Sequence, residues 1–479
     1  MNICNYLKER GQATLSHTAD GFRNSQKVPK GRLISGHTKE FQKDALGFLT
    51  RLAKEYGEVA KFRFGPFQNV YLVSNPDLIK QILVTKQKSF VKSKDLKALK
   101  PLIGEGLLTS EKDFHMRQRR LIQPSFKKNH ISHYAKDMID ITMAYISTWE
   151  HNDERIITKD MMDITLGIVS KTMFSIEFTD GSEIIGKSLD TVLKAAVKRM
   201  RSIFRLPLWV PTKINREYNK AIKSLDKVIY EIIEKRKTDT VKHEDMLGIL
   251  MDARDAEDGS GMTNHHLRDE LMTIFLAGHE TTANALSWAL YALSMNPEIQ
   301  SKLFCEVDSI IGRRTPSPDD FMKLPYTQNI IQETLRMYPP SFMISRDAEE
   351  DVVIGGYHFK KGDMIIISSY VMQHDPNYFE QPDSFIPERF ENNFLKNLPM
   401  FAYLPFGGGP RVCIGNHFAM MEAVLVLACI SQRYRIKLAP DHHEVTPLPS
   451  LTLRPKRGLR MVVEEREAKA FEPESSTFK

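Results

Sequence analysis

The chain of 479 residues predicts a mainly helical domain with small β-sheets, an α+β protein. Three observations carry that expectation. Helical periodicity runs from about residue 130 to 236 and again, without a proline, from Thr263 to Met295. Strand patterns are short and few. No Gly/Ser or Pro tract and no internal repeat divides the sequence, so one large domain is expected where the length alone would allow two or three. Hydrophobic residues at 42% and charged residues at 27% are ordinary globular usage.

Taken in order, residues 40–56 read as an amphipathic helix with Phe41, Leu46, Phe48, Leu49, Leu52 and Ala53 on one side. Lys61 to Gly65 and Asn69 to Ser74 alternate as strands around a Gly-Pro turn. Asn75 and Pro76 open another helix, with Pro76 in its first turn. Asp255 to Ser260 is a polar break. The segment Thr263–Met295 that follows would be a helix roughly 50 Å long, enough to cross the domain. It is apolar nearly all round between Leu271 and Leu293, which places it in the interior. Val352 to Tyr357 and Asp363 to Ser368 read as short strands flanking a turn. The division expected is an N-terminal extension over 1–30, partly mobile, a single domain over 31–463 and a disordered, charged tail over 464–479.

Four cysteines, Cys4, Cys305, Cys413 and Cys429, are too few for a disulfide framework and suit a reducing compartment, hence a cytoplasmic protein. Cys305 and Cys429 read as small buried hydrophobes. The N-terminus has no signal-peptide core, and no run of 18 apolar residues supplies a membrane anchor. The net charge of +7 is modest for this size; it fits a dispersed solvated surface or a basic docking face, and no nucleic-acid partner is expected.

The chemistry concentrates in Phe406 to Gly415, where Cys413 lies in a glycine-rich loop with Arg411 before it. Gly409 and its neighbours permit positive φ and a close approach to a flat ligand. An apolar, helix-like stretch follows Gly415, so Cys413 precedes a helix N-terminus whose N–H groups and dipole favour a thiolate. Such a thiolate suits a large, flat metal cofactor. A second irregularity interrupts the long helix at Ala277-Gly-His-Glu280-Thr281-Thr282. Glycine costs about 1 kcal/mol in a helix, and a buried carboxylate costs more unless partnered. Two readings stand at this point. Thr281 bends the helix by bonding four residues back while Glu280 reaches solvent, or the pair is functional. Glu333 and Arg336 share a helix face.

These motifs, in this order, resemble the cytochrome P-450 family over roughly residues 30–465. The resemblance implies a triangular-prism fold with a long central helix over haem b, iron protoporphyrin IX, and Cys413 as the metal ligand. Phe406, Gly409 and Gly415 belong to the family's cysteine loop. Arg346, Arg411 and Arg119 take the positions of haem-propionate contacts, and His115 stands where the family usually has tryptophan. Ala277 lies over the haem beside the dioxygen groove, with Thr281 as the alcohol and Glu280 as the acid that deliver protons for O–O cleavage. Glu333, Arg336 and Arg389 form a structural triad. The implied activity is a monooxygenase that acts on a hydrophobic substrate, a fatty acid first and a terpenoid or steroid next. Its pocket involves Ile274, Phe275, Leu107, Leu108, Ser341 to Ile344 and Pro447 to Leu453. The chain ends soon after the haem domain, so its partners would be a ferredoxin or flavodoxin with its reductase. They would dock on the basic segment of Arg117, Arg119, Arg120, Lys127 and Lys128. The rival readings are a peroxide-driven peroxygenase and a non-catalytic haem-thiolate sensor.

Overall fold

A computed structural model describes residues 29–176, 181–201, 207–241, 243–442 and 445–466. Cys4, most of the N-terminal extension and residues 467–479 of the tail lie outside the described residues. Among those described, ten helices have eleven residues or more: α1 Ala45–Tyr56, α2 Lys112–Ile122, α3 Lys128–Ile146, α4 Ile157–Phe174, α5 Gly181–Arg201, α6 Lys213–Thr238, α7 Asn264–Met295, α8 Pro297–Ile310, α9 Pro325–Met337 and α10 Asn416–Arg433.

Local chemistry sets their ends. The helix expected over 40–56 divides into Thr38–Lys43 and α1, because Asp44 leaves helical geometry (φ −153°) and its carboxylate caps the N–H of Gly47. Thr263 caps α7 through the N–H of His266, and the helix runs 32 residues to Asn296 and Pro297. Twenty-two of its residues are buried, so a helix apolar on every side sits in the interior as expected. It packs along α4 and against α6, α9 and α10. The last of these, α10, is itself buried from Met421 to Gln432 and contacts α3, α7, α8 and α9. One apolar core joins these elements. Cys429 is buried there, with its thiol pushed up to about 12 by burial. Cys305 corrects the expectation for its pair: it is exposed, because α8 turns Ile299, Leu303, Phe304 and Val307 inward instead.

Strands β1 Val59–Phe64, β2 Gln68–Val73, β3 Phe90–Lys92, β5 Ile344–Ala348 and β8 Met364–Ile367 form one sheet in the order β1-β2-β8-β5-β3. Only β2 and β8 run parallel. The register of β3 on β5 places Lys92 opposite Arg346. A second sheet, β4 Asp153–Ile156, β12 Arg460–Glu465 and β9 Tyr434–Leu438, is antiparallel throughout. It alters the tail boundary at 464: Glu464 and Glu465 complete β12, and Arg466 pairs with Asp308 at 2.7 Å. Two hairpins remain, β6 Val352–Ile354 with β7 Tyr357–Phe359 and β10 Pro447–Pro449 with β11 Leu453–Pro455. No helix of the described residues is long and apolar enough to cross a membrane.

Glu333 and Arg336 meet Arg389 in a buried cluster. Arg336 donates twice to the Glu333 carboxylate, at 2.7 and 2.9 Å, and also to the carbonyls of Gln373, Pro382 and Ser384. Arg389 Nε lies 3.4 Å from Glu333 Oε1.

Candidate active site

The cysteine loop is built by backbone geometry. Gly407 and Gly409 have φ of 71° and 69°, a region open to glycine at little cost. A Cβ at Gly409 would lie 2.0 Å from the Leu83 carbonyl oxygen, and one at Gly408 would lie 2.1 Å from the Phe401 ring. Gly415 differs from expectation, with φ −92° and room for a Cβ 3.5 Å from Phe126; it serves as the N-cap residue of α10. The N–H of Cys413 donates to the Phe406 carbonyl at 2.9 Å, which closes the loop.

Cys413 carries accessible surface because it lines a cavity of about 1350 Å³, although its thiol lies deep in the protein. That volume exceeds the roughly 300–1,000 Å³ of a pocket for one small ligand and leaves room for a macrocycle with a second molecule beside it. Burial raises the thiol above its ordinary range; the Gly415 N–H and the Arg119 charge oppose this and do not outweigh it. The Gly415 N–H at the helix N-terminus favours the thiolate, in the direction expected from sequence, and a metal cation on sulfur would add to it.

The cavity wall also collects cations. Arg346 is buried on β5, and its hydrogen bond runs to the Ser345 carbonyl at 2.9 Å. Burial, and then repulsion from Arg411, brings it down to about 10. Lys92, its neighbour across the sheet, is held well below the usual lysine range by burial and by the charges of Arg346 and Arg411. Arg411 donates to the Ser110 carbonyl at 2.9 Å and pairs with Glu111. His115, brought down to about 3 chiefly by burial, places Nδ1 3.1 Å from the Leu107 carbonyl and 3.4 Å from Arg411. Its Nε2 is buried without a hydrogen-bond partner. All four line the cavity, and Glu111 offers them a single carboxylate. An ionised carboxylate pair seated among them would relieve this repulsion. Haem propionates are such a pair. Arg119 has another task besides: its Nη1 donates to the Val412 carbonyl at 2.8 Å and ties α2 to the cysteine loop.

Into the same cavity α7 presents Ala277, Gly278, Glu280 and Thr281. The Thr281 hydroxyl donates to the Ala277 carbonyl at 2.6 Å, the four-residue back-bond anticipated from sequence. Glu280 does not reach solvent. It is 5% exposed and accepts from Thr452 at 2.6 Å, while Asn284 donates to that hydroxyl at 3.1 Å. Sequence reasoning missed Lys92, Glu111 and Asn284 as members of the site and placed Thr452 only as part of the Pro447 to Leu453 turn. Lys92 and Glu111 arrive through pairing between distant segments, and Asn284 joins Glu280 through the Thr452 hydroxyl.

The geometry has the features of a haem-thiolate protein: one sulfur donor, a cationic rim suited to two propionates, and a polar break in the facing helix. Comparison with known proteins agrees and narrows it. The family model described as Cytochrome P450 matches residues 27–461. The chain is 35% identical to cyclooctatin synthase of Streptomyces melanosporofaciens over 441 residues, 92% of this chain and 95% of that protein. It is 32% identical to cyclooctat-9-en-7-ol 5-monooxygenase of the same organism over 438 residues, 91% and 95% of the two chains. Pentalenene oxygenase of Streptomyces avermitilis is 30% identical over 435 residues, 89% and 94%. The chain belongs to the cytochrome P450 family; it is a monooxygenase, and haem is its cofactor.

Proposed function

We propose that the protein hydroxylates a terpenoid skeleton, with Cys413 as the iron ligand and Glu280 and Thr281 managing protons on the facing side. The observation that carries the substrate class is the full-length similarity to three proteins whose names denote terpenoid oxidation. This reverses the order expected from sequence, which put a fatty acid first. A wide apolar cavity lined by Leu107, Leu108, Ile274 and Leu276 supports a bulky hydrophobic substrate.

Haem held by the Cys413 sulfur would supply dioxygen activation, with the thiolate favouring O–O cleavage, a role for which this family is the reference example. The protein's own groups hold and move protons. With its hydrogen given to Ala277, the Thr281 oxygen is an acceptor towards the cavity and can orient a water or other proton-bearing group there. Glu280, fixed by Thr452 and Asn284, is the acid within the same wall. Phe406, Gly409 and Gly415 shape the loop around the sulfur. Arg346, Lys92, Arg411, Arg119 and His115 would hold the haem propionates, and Ala277 lines the same cavity.

Thr281→Val keeps the side-chain shape and removes the hydroxyl. Positioned proton transfer contributes about 10²–10⁴-fold to a rate, so product formation is expected to fall by at least about 100-fold. Reducing equivalents should still be consumed and appear as hydrogen peroxide, and the substrate-induced Soret shift should be retained. Product formed at the wild-type yield per reducing equivalent would reduce Thr281 to a helix-bending residue. Turnover with peroxide alone, or none with a surrogate reductase and any terpenoid, would favour the peroxygenase or sensor reading instead.

Electrons come, in this proposal, from a separate acidic ferredoxin or flavodoxin with its reductase. The basic surface available to it is smaller than the sequence suggests. Arg117 and Arg120 are engaged by Asp255 at 3.6 and 3.3 Å, and Arg120 also by Glu257 at 3.1 Å. Lys127 is exposed, beside Lys128. Lys127→Gln with Lys128→Gln should slow reduction by the partner about tenfold at low salt, with the difference vanishing as salt rises. An unchanged low-salt reduction rate would remove this docking face.

A further inference from the structure

Glu270 is a fully buried acid of the cavity wall with no part in the proton chemistry above. It lies on α7 in the series Glu270, Ile274, Ala277, Thr281, whose spacings of four, three and four keep all four residues on one helix face. Seven residues of helix separate Glu270 from Ala277, about 10 Å along the axis. The side chain is fully buried. One carboxyl oxygen, Oε2, accepts the backbone N–H of Leu107 at 2.9 Å. The other, Oε1, has no hydrogen-bond partner among the described residues. Leu107, Leu108 and Ile274 line the same cavity.

A buried polar atom left unpaired costs about 1–3 kcal/mol, a cost that fixing the Leu107 loop through Oε2 does not explain. Asp269, next in sequence, shows the contrast. Its carboxylate accepts from the Glu105 N–H at 2.8 Å and from Arg268 at 2.9 Å, so both of its oxygens are occupied.

We propose that Glu270 is a specificity-determining residue that hydrogen-bonds a hydroxyl or ketone oxygen at the far end of the substrate, about 10 Å from the carbon being oxidised. Burial first, and then the Asp269 charge, push its carboxyl up to about 8, so near neutral pH it is mostly a protonated, uncharged donor. An uncharged acid suits a neutral oxygen on a hydrocarbon frame. The inference rests on the terpenoid reading above and sharpens it: the preferred substrate already bears one oxygen before this enzyme adds another. A prior hydroxylation or a cyclisation that traps water must therefore supply it.

The test uses the holoenzyme and the Soret shift on titration with geranylgeraniol, with the matching C20 hydrocarbon and with palmitate. Wild type is expected to bind the alcohol about tenfold more tightly than the hydrocarbon. Glu270→Leu should bring that ratio to about one, chiefly by weakening the alcohol. Glu270→Gln, which can still accept from Leu107 and donate from its amide, should keep most of the preference. The carbon monoxide band establishes that each variant is folded and loaded. Equal weakening of alcohol and hydrocarbon in Glu270→Leu would make Glu270 a structural residue and overturn the proposal while leaving the terpenoid reading intact. Unchanged discrimination would overturn it in the same way. A Soret response to palmitate and to neither isoprenoid would overturn the terpenoid reading itself, and this inference with it.

Discussion

Replacing Cys413 by serine is expected to abolish turnover and the red-shifted carbon monoxide band while leaving the fold in place. The loop is held by interactions that do not use sulfur: Cys413 N–H to Phe406 O, Val412 N–H to Gly409 O at 3.0 Å, and Arg119 to Val412 O. Gly407 and Gly409 keep their positive φ whatever occupies position 413. Far-UV circular dichroism should therefore match wild type. What changes is the donor. A thiol titrates near 8.5 in a free peptide, and a metal lowers it outright; a serine hydroxyl is far less acidic and less polarisable. Arg119 and the Gly415 N–H are too weak to overcome burial even for the thiol, and they have less prospect with a hydroxyl. Haem can still be retained by the cation cluster of Arg346, Lys92, Arg411 and His115, so the variant should carry cofactor without the thiolate spectrum. Persistence of the red-shifted band in Cys413→Ser would end the assignment of this residue as ligand.

The parts of this protein that could be read from its sequence are those whose chemistry is local. Positive φ at Gly407 and Gly409, the Thr281 back-bond, the Asn75 and Thr263 caps and the Glu333–Arg336 pair all act within a few residues. The long interior helix was legible for the same reason, since its apolar periodicity repeats every turn. What could not be read depends on pairing across the chain. The Thr452 hydroxyl reaches Glu280 from 172 positions away, and the Leu107 N–H reaches Glu270 from 163. Lys92 joins the propionate edge only through the β3–β5 register, and β5 itself hides behind the polar run Ser345-Arg346-Asp347. Burial also decides between the two local readings of Glu280, which it keeps from solvent, and it opposes the helix N-terminus at the Cys413 thiol. Both effects come from desolvation, a property of the folded surroundings with no signature in neighbouring residues.

Arg336→Leu is expected to be the most destabilising single change outside the metal ligand. The guanidinium is completely buried and serves five hydrogen bonds, two to Glu333 and one each to the carbonyls of Gln373, Pro382 and Ser384. Leucine fills part of the volume and restores none of them. Removing one partner of a buried pair costs about 3–5 kcal/mol, because the other charge stays behind uncompensated. Arg389 remains near Glu333, but only at 3.4 Å, and it already donates to the Glu380 and Gln381 carbonyls. Against a total stability of roughly 5–15 kcal/mol for a folded domain, that loss should show as a large drop in the urea midpoint and as poor haem retention on expression. Glu333→Leu combined with Arg336→Leu separates the charge from the scaffold. If the stranded carboxylate dominates, the double variant recovers part of the loss, as replacement of whole buried pairs by apolar residues does elsewhere. If the three orphaned carbonyls dominate, it does not recover. A single variant as stable as wild type would mean that the cluster behind the cysteine loop is not what holds α9 to the segment Gln373–Ser384.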